Sequence, residues 1–400
     1  MKKYLYFCTL IFVALNTMAQ TESYNHDGRD GSFCTTLEKE LTFQYSSNQI
    51  PVADGWIYDD VYSDEFDGAS VDTSKWTRQH RYVHENNTKV GCIKENANVS
   101  NGKLVLSAYY SPDGIDMLMN GDTLSIHYVT GSVISKKQIR YGYYEVECYL
   151  PRNHNLRPCF WTWGERMSGQ HDDYNYYNEI DVNENPGESP SLIQQNAYTN
   201  LKLSDISKTR QHLSVVNSNG NPDSIMGKTS CFGVEVLPYE IVWYINGRVS
   251  SHLVYADSSA TTNSFSMFTC SDILKMRPMH IILSFNFTPD TINNAVPSPY
   301  EDFTVEYFRC YKMERGGQDT YHPSVFTPSS ESCKVYPNVI LGGSGCTATV
   351  NTSTAVWAEQ SIILDEGFTL TAGNTFSARI IKHGTENPAT SPLYIGNYYY

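Results

Sequence analysis

Tyr239–Gly247 reads YEIVWYING. Side chains on an extended chain alternate between two faces, so this run is a strand that sends Trp243 into a core. Asn246-Gly247 follows it with the pair that best forms a tight hairpin turn. Working outward, the same short alternation recurs in Lys103–Tyr109 (KLVLSAY), Tyr143–Leu150 (YYEVECYL) and Phe303–Tyr311 (FTVEYFRCY), with Gly, Asn, Asp and Pro between the runs. Persistent helical periodicity is absent, and only Thr36–Leu41 suggests a short helix. From Pro51 to Met313 the pattern therefore predicts one all-β sandwich of two sheets.

Composition agrees. The 400 residues are 40% hydrophobic, enough for a packed core, and only 18% charged, which argues against a coiled coil. The net charge of −14 works against nucleic acid or an acidic membrane surface as partner. Lys2 and Lys3 precede the mostly apolar Tyr4–Ala19, with small residues at Thr17 and Ala19, so residues 1–19 read as a secretory signal peptide. No later segment is long and apolar enough to be read as a transmembrane span. The expected destination is the periplasm, the cell surface or the medium.

Further divisions follow from local composition. Residues 20–50 are polar and suggest a leader or linker; 51–313 form the β-sandwich; Glu314–Ser332 is a Gly/Ser/Pro-rich linker. A small β unit spans 333–384, and 385–400 is a tail. Of the nine cysteines beyond the signal, Cys148 and Cys310 sit in apolar strand patterns as small hydrophobes. Cys333 and Cys346 share the small unit and are the expected disulfide. No Cys/His cluster offers a zinc site, and no cofactor is called for.

The chemistry concentrates in Asn178–Gly187, NEIDVNENPG. On a strand Glu179 and Asp181 share one face, but Glu184, three residues further on, falls on the other. One extra residue around Val182-Asn183, a β-bulge, brings all three acids together. Two carboxyls so placed can divide the work of breaking a glycosidic bond, one attacking as the ionised nucleophile and one delivering a proton. The third raises its neighbours' proton affinity by like-charge repulsion. A solvated polar face or a calcium site would use the same residues.

NEIDVNE, with the pieces around it, resembles the family 16 glycoside hydrolases, whose bulged subgroup reads E-x-D-x-x-E. Asp64–Gly68 with Lys75-Trp76, then Asn98–Leu106, Gly131–Ser135, Tyr141–Glu147 and Pro158–Trp163 precede the motif in the family's order, and Tyr239–Gly247 and Val305–Tyr311 follow it. The resemblance implies a concanavalin-like jelly-roll sandwich that cleaves internal β-linkages of a polysaccharide with retention. By position it makes Glu179 the nucleophile, Glu184 the general acid/base and Asp181 the assisting acid. It also implies a calcium ion on the far side of the sandwich, with no residue here to name for it.

Sugar rings present apolar faces to aromatics and hydroxyls to amides, so Trp161, Trp163, Tyr177, Asn196 and Tyr198 are the expected substrate contacts. Trp76 and Trp243 are expected in the core. The acidic chain and the few cations near the motif (Arg140, Arg152, Arg157 and Arg166) favour a neutral β-glucan, with a galactan or a host-type galactose-containing glycan as the alternative. A glycan-binding surface protein without catalysis is the rival from another class. The small unit resembles an accessory domain found at the ends of exported proteins of the Bacteroidetes group.

Overall fold

A computed structural model describes residues 21–26, 35–50, 56–85, 88–119, 121–139, 141–164, 177–200, 206–237, 240–254, 278–288, 291–292, 294, 298–312, 318, 320–326, 335–350, 354–372 and 376–380. The chain forms two compact units. The larger comprises Gln20–Pro51 and Asp59–Cys310; the smaller comprises Val52–Tyr58 and Tyr311–Asn397.

The larger unit is a two-sheet β-sandwich. Its first sheet runs, strand by strand, Thr35–Gln44, Ile206–Val216, Leu192–Asn200, Tyr177–Glu184, Leu156–Gly164, Met279–Phe287 and Asp122–Ile139. The second contains Lys103–Met119, Glu301–Lys312, Gly142–Tyr149, Thr229–Val236, Glu240–Ile245 and Arg248–Val254. Alternation along each strand decides what lies between them. Phe160, Ile180, Val182, Ile193 and Leu213 point inward from the first sheet, and Tyr144, Val146, Phe232, Val234, Trp243 and Phe303 from the second. Trp76 and Trp243 are buried in this core, and Asn246-Gly247 turns the hairpin between Glu240–Ile245 and Arg248–Val254.

Two expectations about the N-terminal stretch are overturned. Thr36–Leu41 is not helical but part of the strand Thr35–Gln44, and residues 20–50 are more than a leader. This strand pairs in parallel with Ile206–Val216, from Lys208↔Thr36 to Val216↔Gln44. The reason is the two-residue spacing of Leu41 and Phe43: both reach the core only from an extended chain.

The smaller unit is a parallel coil with two faces. One face stacks Thr320–Tyr321, Val335–Leu341, Thr354–Leu364 and Phe376–Ile380; the other stacks Val325–Phe326, Thr347–Val350 and Phe368–Leu370. Each sequential strand changes face, so no short segment can bury its apolar side without the next turn of the coil. Residues 314–332, expected as a linker, supply the first strand of each face. Phe326, Tyr336, Val339, Leu341, Val350 and Val356 fill the interior. Cys346 is a free thiol, and Cys333, its expected disulfide partner, lies outside the described residues. Cys346 sits in a turn, its N–H donating to the carbonyl of Gly343 at 2.9 Å.

Candidate active site

Tyr177–Glu184 lies between Leu156–Gly164 and Leu192–Asn200. Its ladder is regular until Asp181, which faces Trp161 on one side and Asn196 on the other. The next matched residue on the Leu192–Asn200 side is Glu184, opposite Gln194, so two residues on this strand oppose the single Gln195. That is the bulge at Val182-Asn183 which the three-acid spacing requires. Ile180 and Val182 enter the core, while Glu179, Asp181 and Glu184 are carried to the outer face.

A bulge interrupts the ladder and leaves backbone carbonyls to be satisfied elsewhere. Side chains do this here. Trp243 Nε1, from the opposite sheet, donates to the carbonyl of Asp181 at 2.9 Å. Gln195 Nε2 donates to the carbonyl of Val182 at 3.1 Å, and Ser250 Oγ donates to Gln195 Oε1 at 2.9 Å. Asn183 Nδ2 reaches the carbonyl of Pro158 at 3.4 Å.

The electrostatics are asymmetric. Asp181 is only 1% exposed. Burial, then the charges of Glu184 and Glu179, push its carboxyl well above the usual range; Asn196 Nδ2, donating to Oδ2 at 2.8 Å, works the other way. Its other oxygen, Oδ1, is buried without a hydrogen-bond partner. Glu179 is pushed up to about 7 by burial and by Glu184, against a side-chain hydrogen bond with Asp181 and the charge of Arg157. Glu179 and Asp181 are thus neighbouring carboxyls, each raised mainly by burial and by the charge of Glu184. Glu184 is served differently: Arg157 Nη2 lies 2.8 Å from its Oε2 and donates to Gln194 Oε1 at 3.3 Å. Cys159 Sγ, 3.9 Å from Glu184 Oε1, is held far above the ordinary thiol range by burial and by Glu184.

Neighbouring strands extend this face. Trp161 and Trp163 lie half-buried on it, edge to face with centroids 6.1 Å apart, and Trp161 Nε1 donates to Ser284 Oγ at 3.1 Å. Tyr198, half-buried, is opposite Glu179. Asn196, expected to meet sugar, is 3% exposed and turned to Asp181, because its strand partner is that acid. Tyr177 starts the strand, but its side chain lies outside the described residues, as does the polar insertion Glu165–Tyr174. One rung further, His212 sits opposite Gln194, and its Nδ1 lies 3.2 Å from Glu40 Oε1 on the N-terminal strand.

Sequence reasoning missed the supports. Arg157 was visible as one of few cations near the motif, yet nothing local pairs it with a residue 27 positions later. Gln195 had a local signal, a polar residue at an inward position of NAYTN's own strand; Trp243 did not, since its partner is 62 residues away. Among the described residues no group of three or more His, Cys, Asp or Glu could hold a metal ion.

An all-β sandwich that lines up three acids through a bulge defines a class of glycosidase site. The model for the GH16 domain of beta-porphyranases A–D matches residues 56–273. The chain belongs to family 16 of the glycoside hydrolases. It is 24% identical over 185 residues to Beta-porphyranase D of Zobellia galactanivorans, a match covering 45% of this chain and 39% of that protein. The fold is shared with porphyranase B of Zobellia galactanivorans, at 16% identity and a TM-score of 0.50, over 68% of this chain and 98% of that one. The laminarinase catalytic domain of Thermotoga maritima gives 20% identity and a TM-score of 0.48, over 64% and 98%.

Proposed function

We propose that the chain is an exported, endo-acting hydrolase that cleaves internal β-linkages of a galactan of the porphyran class with retention of configuration. Glu179 is the nucleophile and Glu184 the general acid/base. Asp181 keeps Glu179 oriented through the hydrogen bond between them. The observation that carries this reading is the bulge at Val182-Asn183, which turns three acids to one face and leaves the middle one buried with an unsatisfied oxygen.

In the first step Glu179 attacks the anomeric carbon as a carboxylate while Glu184 gives its proton to the departing oxygen. In the second Glu184 takes a proton from water, which attacks the glycosyl–enzyme ester and releases Glu179. Trp161, Trp163 and Tyr198 are the stacking surfaces for the sugar rings. The galactan is favoured over the β-glucan by the match to the porphyranase model and to Beta-porphyranase D. Arg157 adds a local cation that the overall acidity of the chain does not reveal. The small C-terminal coil is assigned a spacer or glycan-assisting role.

The test is hydrolysis of a panel of galactans and β-glucans by the wild type, Glu179→Gln and Glu184→Gln, with product anomers read by NMR. Each variant is expected to lose about 10³-fold in rate with little change in melting temperature. Equal activity in all three removes the mechanism. Cleavage of β-glucans alone replaces the substrate and leaves the mechanism.

A further inference from the structure

We propose that His212, held by Glu40 of the N-terminal strand, is a specificity-determining residue: it binds a ring hydroxyl of the substrate chain two strands away from Glu184, and so favours long substrates over short ones. This rests on the reading of the acidic face as the site of an endo-acting hydrolase.

The direction of the bound polymer follows from the register. Trp163 and Tyr198 lie directly opposite Glu179 on its two neighbouring strands, and both are half-buried on the outer face. Stacking surfaces on either side of the acid carry a sugar chain across the strands rather than along one of them. A chain cut internally then continues past Leu192–Asn200 and over the next strand, Ile206–Val216. On the line through Glu184 that path is fixed residue by residue. Glu184 is opposite Gln194, Gln194 opposite His212, and His212 opposite Glu40. Residues so paired share a face of the sheet, and the contacts agree. Gln194 turns to Arg157, the ion-pair partner of Glu184, while Leu213 and Leu41, next to His212 and Glu40, point into the core. His212 therefore stands on the same outer face as Glu184, about 10 Å away across the sheet at the usual strand spacing.

The ring is set up for that contact. The His212 side chain is 32% exposed, open to a ligand yet flanked by its neighbours, and Glu40 Oε1 lies 3.2 Å from its Nδ1. A carboxylate accepts from Nδ1–H, which fixes both the tautomer and the orientation of the ring and leaves Nε2 as the acceptor of the neutral imidazole. A sugar hydroxyl is the donor such a nitrogen takes. Glu40 is a positioning residue, and it is held by its own strand. Leu41 and Phe43 anchor that strand in the core, and it pairs in parallel from Lys208↔Thr36 to Val216↔Gln44. The N-terminal strand thus does more than widen the sheet. Without it Ile206–Val216 would be the sheet's edge, and the histidine would lose the carboxylate that orients it.

The experiment measures kcat/KM of the full chain on the polysaccharide found active in the panel and on a length series of oligosaccharides made from it. The proteins are the wild type, His212→Ala, Glu40→Ala, Glu40→Gln and the double variant of His212→Ala with Glu40→Ala. The readout is the ratio of kcat/KM on the polymer to that on the shortest oligosaccharide cleaved, in which general damage to the site cancels. His212→Ala is expected to lower this ratio about tenfold, as for the loss of one hydrogen bond, and mainly through KM. Glu40→Ala should lower it about threefold, since the ring remains but is no longer oriented. Glu40→Gln keeps an acceptor oxygen for Nδ1–H and should recover most of that loss. The double variant is expected to match His212→Ala, because Glu40 acts only through the ring. A purely structural pair lowers the rate on every length alike; an unchanged ratio in His212→Ala therefore overturns the proposal. So does a double variant whose loss is the product of the single losses. If His212→Ala does not fold, as judged by its melting curve, the Glu40 variants decide: a ratio equal to that of the wild type in Glu40→Ala overturns the proposal, and a loss there that Glu40→Gln recovers supports it. Glu184→Gln on the same series keeps the two readings apart. Full activity in it removes the catalytic assignment and this proposal with it, whereas an inactive Glu184→Gln beside an unchanged ratio in His212→Ala removes this proposal alone.

Discussion

On Gly142–Tyr149, in the second sheet, an outward acid is buried and answered; on Tyr177–Glu184, in the first, an outward acid is buried and left wanting. Glu145 accepts a hydrogen bond from the Tyr143 hydroxyl at 2.7 Å and has Cys231 Sγ at 3.5 Å. Burial and the charge of Glu145 hold Tyr143 well above the usual phenol range, so that hydroxyl remains a donor. The pairing there is unbroken, with Glu145 opposite Gly233, whose missing side chain makes room for the Tyr143 ring: a Cβ would fall 2.4 Å from its oxygen. Asp181, by contrast, sits at the edge of a bulge, with one oxygen on Asn196 and the other with no hydrogen-bond partner. A buried carboxyl with a complete set of donors is a structural element. One left short of a donor and set among two further acids is poised to react.

The largest effect should come from removing the proton donor and leaving the bulge in place: Glu184→Gln is expected to lower activity by about 10³-fold. Deleting one residue at Val182-Asn183 makes the second strand like the first instead. It restores a regular ladder and leaves the glutamate two residues beyond Asp181, still on the outer face. Activity is expected to stay well above that of Glu184→Gln, because the proton donor keeps its face. The carbonyls now held by Trp243 and Gln195 would return to the ladder, so the circular-dichroism spectrum should remain that of a β protein. A loss as large as that of Glu184→Gln would mean that the bulge does more than set the phase of the acid.

How much of this was legible in the chain divides along the same line. The sandwich could be read because alternation is local: YEIVWYING announces a strand and its turn within nine residues. The bulge could be read because three acids at that spacing have only one way to share a face. What holds the bulge could not, since Trp243 and Arg157 reach it from other strands and their partners are fixed by the register of the sheets. The N-terminal strand was misread for a different reason. Leu41 and Phe43 do alternate, but two residues among polar neighbours are a weak signal, and the strand is completed by a partner 172 positions downstream, Leu213 opposite Leu41. In the small unit, strands of two residues fall below what periodicity can detect.

A smaller effect is expected from Asp181→Asn, which tests whether the unanswered acid carries a cost. The rate should drop about 10²-fold, since the carboxyl that orients Glu179 is lost. Stability should move the other way as pH rises. Asp181 and Glu179 hold a proton more tightly in the folded chain than in the unfolded one. Their contribution to stability is therefore complete below the ordinary carboxylate range and is lost as pH rises through about 7. The amide does not titrate, so the melting temperature of the variant should gain on that of the wild type between pH 5 and pH 8, as about the span over which carboxylate linkage acts. Parallel melting curves at all pH values would show that Asp181 is not held protonated.

The smallest effect on activity should come from the answered acid, and it completes the comparison from the other side. Glu145→Ala leaves the Tyr143 hydroxyl buried without its acceptor, which costs about 1–3 kcal/mol of stability. Glu145→Gln keeps an acceptor oxygen for the tyrosine and should cost less. Both should retain the wild-type rate and its pH profile, because the strand that carries Glu145 is in the opposite sheet from the three acids. Chemical denaturation measures the first quantity and hydrolysis the second. A marked loss of rate in Glu145→Gln at unchanged stability would show that the two acids are coupled through the core, and that the difference between answered and unanswered burial does not separate structure from chemistry in this fold.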